Sequence, residues 1–393
     1  MNAQRRAVLW RMLMVACYAV LSTGCGERAS APAATHLVIK HSKLFGDPVA
    51  FRELLDRFEA EHPGLVVTSE TLPASSDEQH QFYAINLRAR STAFDVLAVD
   101  VIWVAEFARA GWIADLSADL PVAERADFFS GPMAAVTYDD RVYAIPWYVD
   151  AGLLYYRRDL LDRYGREPPR TWGELVATAR AISAEEPGMH GFIWQGRQYE
   201  GLVCNALEYL WSAGGTVIDA EGQLVLDSPA NRAALGFMHD LVQRYGVTPP
   251  SVATATEEPS RHLFGQGRAV FLRNWPYAWR LFEREGSSLE GRVGVTQLPH
   301  FPGQTSAAAL GGWQLAVNAR SEHDAAARAL VRFLTSSAAL RHLALAYGFQ
   351  PARRSLYADP ELIAAQPQLT ALEEIFATAR PRPVHPDYVR MSQ

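Results

Sequence analysis

The apolar positions of this chain fall into short runs separated by amphipathic stretches. Leu37-Val38-Ile39-Lys40-His41 is a short β-like run. Phe51, Leu54, Leu55 and Phe58 then recur at the period of one helix face until Pro63-Gly64 stops them. Leu65 to Thr68 predicts a second strand, Asp77 to Arg90 a helix, and Phe94 to Val99 a third strand that ends at Asp100. A short helix around Trp103 to Ala110 leads to Gly111. Strands that alternate with helices in this way predict parallel βαβ units.

A second alternation begins after Tyr143. The stretch Tyr143 to Arg158 sets Pro146, Trp147, Tyr148 and Asp150 ahead of an apolar run, Leu153 to Tyr156, with a helix starting near Asp159. Pro146 fixes φ and donates no amide hydrogen, which disfavours a central strand and favours a crossover between two α/β units. An aromatic pair and a carboxylate at a crossover suggest a cleft between lobes; an ordinary loop with partly buried aromatics is the alternative. Thr171-Trp172-Gly173-Glu174 is a capping box that opens a helix to about Ala184. A brief strand at Gly191 to Trp194, helices near Tyr199 to Ala213 and Ser228 to Tyr245, and a turn feeding a strand over Phe264 to Leu272 follow. After Gly311-Gly312-Trp313 come a strand, Gln314 to Asn318, and helices around Asp324 to Thr335 and Ala338 to Tyr347. The prolines of Arg380-Pro381-Arg382-Pro383 exclude a regular helix there.

Length changes this picture first: 393 residues exceed what one core supports, so two domains are expected. With 49% hydrophobic and 20% charged residues the chain is globular, and a net charge of −6 gives no basic footprint for nucleic acid. The N-terminus reads as a signal segment over 1–24. Arg5, Arg6 and Arg11 supply a positive start and Met12 to Leu21 an apolar run, shorter than the ~20 residues a spanning helix needs. Leu21-Ser22-Thr23-Gly24-Cys25 resembles the bacterial lipobox, which makes Cys25 the expected lipid attachment point; a plain signal peptide is the alternative. Residues 25–35 then form the lipidated cysteine and a small, polar tether. Cys17 departs with the signal, so Cys204 stands alone, cannot form a disulfide within the mature chain, and is expected as a buried small hydrophobe.

Catalytic patterns are absent from the sequence: there is no Gly-x-Ser-x-Gly, no Gly-Lys-Ser/Thr phosphate loop and no His-Glu-x-x-His, and the 11 histidines lack metal-ligand spacing. Asp100 and Asp150 could form a glycosidase pair, but nothing marks one of them as the acid. Aromatics with isolated polar groups fit sugar binding better. A pyranose C–H face stacks on Trp or Tyr, and its hydroxyls donate to carboxylates or accept from Arg and backbone amides. The candidates are Trp275, Tyr277, Trp313, Tyr148, Asp100, Asp150 and Arg382, each of which could instead be structural.

At these residues a resemblance becomes specific. It is carried by Asp95 to Trp112, Pro146 to Gly165, Tyr199 to Gly215, Asn274 to Trp279 and Gly311-Gly312-Trp313, and extends over residues 36–393. The chain resembles the extracellular solute-binding proteins of ABC sugar importers, especially their trehalose/maltose-binding members. The resemblance implies an α/β fold of the two-lobed periplasmic-binding-protein class. Lobe one would take 36–147 and 299–349, and lobe two 148–298 and 350–393.

It also places Asp100, Tyr148, Asp150, Trp275, Tyr277, the backbone at Gly312, Trp313 and Arg382 on sugar-contacting positions, with Arg380 a weaker substitute for Arg382. Asp47 falls where relatives carry an acidic ligand, yet followed by Pro48 it could equally cap a helix. His80 stands where trehalose/maltose binders carry arginine; a neutral imidazole offers one donor and no fork, so the identity of the sugar is open. The implied function is binding of a sugar, such as trehalose or maltose, and delivery to membrane permease subunits by hinge closure. No enzyme activity, cofactor, metal or nucleic acid is expected. A monomer held outside the cytoplasm by its lipid alone is. The rival readings are a secreted glycoside hydrolase, a binder of another solute such as a phosphorylated polyol or oligopeptide, and a surface sugar receptor without transport.

Overall fold

The computed structural model describes residues 34–219 and 223–392. The expected signal segment, Cys25 and the tether up to residue 33 lie outside the described residues. Among the described residues no helix is long and apolar enough to cross a membrane.

Two sheets organise the chain. The first contains β1 (Thr35–His41), β2 (Leu65–Thr71), β3 (Val96–Asp100) and β4 (Ile145–Ala151). The second contains β5 (Leu153–Arg157), β6 (His190–Ile193), β7 (Ala269–Asn274) and β8 (Val293–Thr296). The last long strand, β9 (Leu310–Val317), returns to the first sheet. The orders are β2-β1-β3-β9-β4 and β8-β5-β7-β6. β3 is buried at every position, as the near-continuous apolar run Phe94 to Val99 requires of a strand covered on both faces. The helix Ala50–Glu61 buries Phe51, Leu54, Leu55 and Phe58, the periodic face read from the sequence. The Thr171 capping box is formed, with the hydroxyl accepting from the Glu174 amide and the Glu174 carboxylate accepting from the Thr171 amide.

Parallel pairing is only part of the outcome. β1 pairs with β3, and β6 with β7, in parallel; β3–β9, β9–β4, β5–β7 and β5–β8 are antiparallel. The reason is topological: β9 arrives from some 160 residues beyond β4 and inserts between two strands that local βαβ logic would have made neighbours. Pro146 lies inside a strand after all. β4 is the last strand of its sheet, and Pro146 faces Gln314 where the ladder slips between Trp313 and Gln314, so its missing amide costs no regular bond. The crossover to the second sheet follows at Gly152, where a Cβ would stand 1.9 Å from Glu208 Oε1. Only glycine lets the backbone pass that buried carboxylate.

The C-terminal part departs from its expected assignment to lobe two. Gln350 accepts a hydrogen bond from the Val149 amide at 3.0 Å, and Pro351 bridges Tyr148, so this segment covers the outer edge of β4. Phe376, from the helix Leu369–Thr378, and Tyr357 pack on Phe129 at 6.1 and 5.3 Å. Residues 350–378 therefore belong with the first sheet, drawn there by aromatic burial. The two longest helices that the sequence pattern did not predict are Glu257–Gly265, ahead of β7, and Leu369–Thr378.

Candidate ligand-binding site

A cleft of about 390 Å³ opens between the two sheets, within the ~300–1,000 Å³ range of small-molecule sites. A hollow of about 650 Å³ beside the helix Ser130–Ala135 shares no residue with it.

Sheet register assembles one wall. Trp313 on β9 stands opposite Asp100 on one side and Tyr148 on the other, and Gly311 stands opposite Asp150. Tyr148 and Asp150 are two residues apart on β4 and share a face. Tyr148 stacks on Phe349 at 4.2 Å and Trp313 meets Trp103 edge-on at 5.6 Å, which fixes both rings. Gly312 has φ +111°, and a Cβ there would lie 2.3 Å from the Tyr148 carbonyl oxygen. Glycine is thus required at this bulge by the neighbouring strand, whatever approaches from the cleft.

The opposite wall starts where β7 ends. Trp275 follows Asn274 directly, and a Cβ on Gly311 would meet its ring at 3.0 Å and the Asp150 Cβ at 3.2 Å, so the indole and the Asp150 side chain flank the same glycine. Arg273 lies behind the indole, its guanidinium carbon 4.0 Å from the ring centroid. That guanidinium is clamped by Glu208 through bonds of 2.9 and 2.5 Å, a pair 1% and 2% exposed. The Trp275 Nε1–H donates to Glu257 at 3.3 Å, and Glu257 also accepts from the Tyr199 hydroxyl at 2.6 Å. The Tyr277 hydroxyl donates to Glu258 at 2.7 Å while its ring stacks on Phe45 of the first-sheet side at 5.6 Å. This stack bridges the two walls.

Charge is distributed unevenly over the cleft. Arg382 donates to Asp100 at 2.9 Å and to Glu200 at 2.7 Å. Asp150 has no such partner among the described residues. Burial, and then the charge of Asp100, push its carboxyl up to about 7, against a smaller opposing pull from Arg273.

Of the residues expected at the site, Asp100, Tyr148, Asp150, Trp275, Tyr277, Gly312, Trp313 and Arg382 line this cleft together. Asp47 and His80 do not. The Asp47 carboxylate accepts from the Val49 amide at 2.9 Å in a local turn ahead of the helix, whose N-cap is Val49 and not Asp47. His80 Nε2 meets Glu106 at 2.8 Å and its ring stacks on Phe107 at 5.7 Å; the short imidazole is spent on the neighbouring helix. Arg380 is exposed, with its backbone bonded to Ala308 and Leu310.

The family model described as bacterial extracellular solute-binding protein matches residues 44–340. The chain belongs to this family. A probable ABC transporter-binding protein of Deinococcus radiodurans is 37% identical over 82% of this chain and 78% of its own length. Among solved structures, maltose-bound MalE3 of T. maritima is 44% identical with a TM-score of 0.87, covering 91% of this chain and 92% of that one. A solute-binding protein of Thermotoga lettingae bound to α-D-tagatose is 26% identical with a TM-score of 0.81, over 91% and 92%. The fold of this solute-binding protein is accordingly two-lobed and maltose-binding-protein-like. The family and these relatives are transporter binding proteins and not enzymes, which removes the hydrolase reading of Asp100 and Asp150.

The solute-binding protein also brings to its cleft residues that the sequence had not placed there: Tyr199, Glu200, Cys204, Glu257, Glu258 and Phe349. Cys204 is buried and unbonded as expected, but it borders the cleft. Glu257 and Glu258 sit on the unrecognised helix; the adjacent acidic pair eighteen residues before Trp275 was the available signal.

Proposed function

We propose that this protein binds a neutral saccharide of about disaccharide size, such as trehalose or maltose, between its lobes and hands it to the permease of an ABC importer. The observation that carries this reading is the juxtaposition of Trp275, braced from behind by Arg273, with the unpartnered carboxylate of Asp150. An aromatic face suits the C–H side of a pyranose, and a free carboxylate takes its hydroxyl donors. The 44% identity to a maltose-bound structure supports the same class of ligand. Contacts from both walls mean that the ligand favours the closed arrangement by its differential affinity. We assign Cys25 as the lipid attachment point of the mature, monomeric protein outside the cytoplasm, on the lipobox residues.

A thermal-shift screen tests the reading. Trehalose or maltose at one hundred times its Kd should stabilise the fold by ~2.7 kcal/mol, whereas polyol phosphates and oligopeptides should leave the melting temperature unmoved. A shift with a peptide or phosphate and none with any saccharide would overturn it.

A further inference from the structure

Arg382, expected at the ligand, is itself held in place by other side chains. Glu200 opens the helix Glu200–Ser212, whose capping residue Tyr199 makes no side-chain cap bond. Its carboxylate, 6% exposed, accepts from Arg382 Nη1 at 2.7 Å and from the Tyr388 hydroxyl at 2.8 Å, both on Oε1. Arg382 Nη2 reaches Asp100 at 2.9 Å. Three separate parts of the chain meet here: Asp100 ends a strand of the first sheet, Glu200 starts a helix that follows β6 of the second, and Arg382 and Tyr388 come from the C-terminal tail. The Arg382 Nε–H is buried and has no partner among the described residues.

Here two carboxylates fix the fork, one on each terminal nitrogen. A planar guanidinium pinned at two corners cannot rotate away, so its orientation at the cleft is set by Glu200 and Asp100.

We propose that Glu200 is the positioning residue of the cleft: with Tyr388 it holds the Arg382 guanidinium against Asp100 across the two lobes, and so ties ligand binding to closure. This inference rests on the saccharide reading above and adds to it the device that orients the arginine and couples the lobes.

The test combines Glu200→Gln, which keeps shape and removes charge, with Tyr388→Phe, which deletes one hydroxyl. Three quantities are read: calorimetric affinity for whichever of trehalose or maltose the parent binds, the distance between spin labels placed on exposed sites of the two lobes without sugar, and the melting temperature. Glu200→Gln should weaken affinity on the order of ten-fold or more and lengthen the label distance in the sugar-free protein. Tyr388→Phe should change both in the same direction by less. If Glu200→Gln fails to fold, the Tyr388→Phe values decide. Unchanged affinity with an unchanged label distance would overturn the proposal, as would a lowered melting temperature with neither of the other two moved. If the parent bound no saccharide, the functional reading would fail. The label distances of sugar-free Glu200→Gln would still show whether Glu200 holds the lobes.

Discussion

Sugar binding should be linked to a proton at Asp150. In the sugar-free protein this carboxyl titrates at about 7, raised chiefly by burial and then by Asp100. Hydroxyl donors from a saccharide stabilise the anion and not the acid, so binding should return the group toward the ordinary aspartate value of ~3.9. Below pH 7 the ligand must then expel a proton, and affinity falls as the pH drops. With the free and bound values separated by ~3 units, affinity at pH 6 should be about ten-fold weaker than at pH 8, with about one proton released per sugar at pH 6. Calorimetric titrations in buffers of different ionisation heat read both quantities.

The same group sets the stability of the sugar-free protein. Its folded pKa lies above the unfolded one, so its contribution is fully present below pH ~4 and is lost as the pH rises through ~7. The loss amounts to at most ~4 kcal/mol. Asp150→Asn should abolish the slope of affinity and this part of the slope of stability. A pH-independent affinity in the parent, or an unchanged slope in Asp150→Asn, would refute the assignment of the proton to Asp150.

Other consequences follow from the braced indole and the anchor. Trp275→Ala should cost ~1–3 kcal/mol of sugar affinity by calorimetry while leaving the unfolding midpoint nearly in place, because Trp275 is an anchor at the cleft and not a core residue. Arg273→Met strands Glu208, 2% exposed, without its cation and should lower stability by ~3–5 kcal/mol in urea unfolding; a loss below ~1 kcal/mol would mean that Glu208 finds another partner. Cys25→Ser should move the protein from the membrane fraction to the soluble one, and retention in the membrane fraction would rule out lipidation at that residue.

Local periodicity was enough for most elements, because a helix face such as Phe51/Leu54/Leu55/Phe58 and a buried run such as Val96 to Val99 are properties of neighbours in the chain. Strand order was not legible. Nothing in Leu310–Val317 says that it inserts between β3 and β4, yet that insertion sets Trp313 between Asp100 and Tyr148. The site residues could be named from their chemistry and resemblance, while their juxtaposition required the fold. Asp47 and His80 stand outside the cleft because a carboxylate or imidazole can be satisfied locally, by the Val49 amide and by Glu106. Glu200 and Glu257 were missed for the opposite reason. As helix-opening glutamates they look like ordinary solvated charge, and only tertiary contacts with Arg382, Tyr388, Tyr199 and Trp275 give them work.

A saccharide held between Trp275 and Asp150 is tested most directly by a crystal structure of the protein grown with trehalose or maltose. The sugar is expected with a ring face on the Trp275 indole and hydroxyls within ~3.2 Å of the Asp150 carboxylate. A sugar bound elsewhere, or a cleft occupied by water alone at saturating sugar, would contradict it.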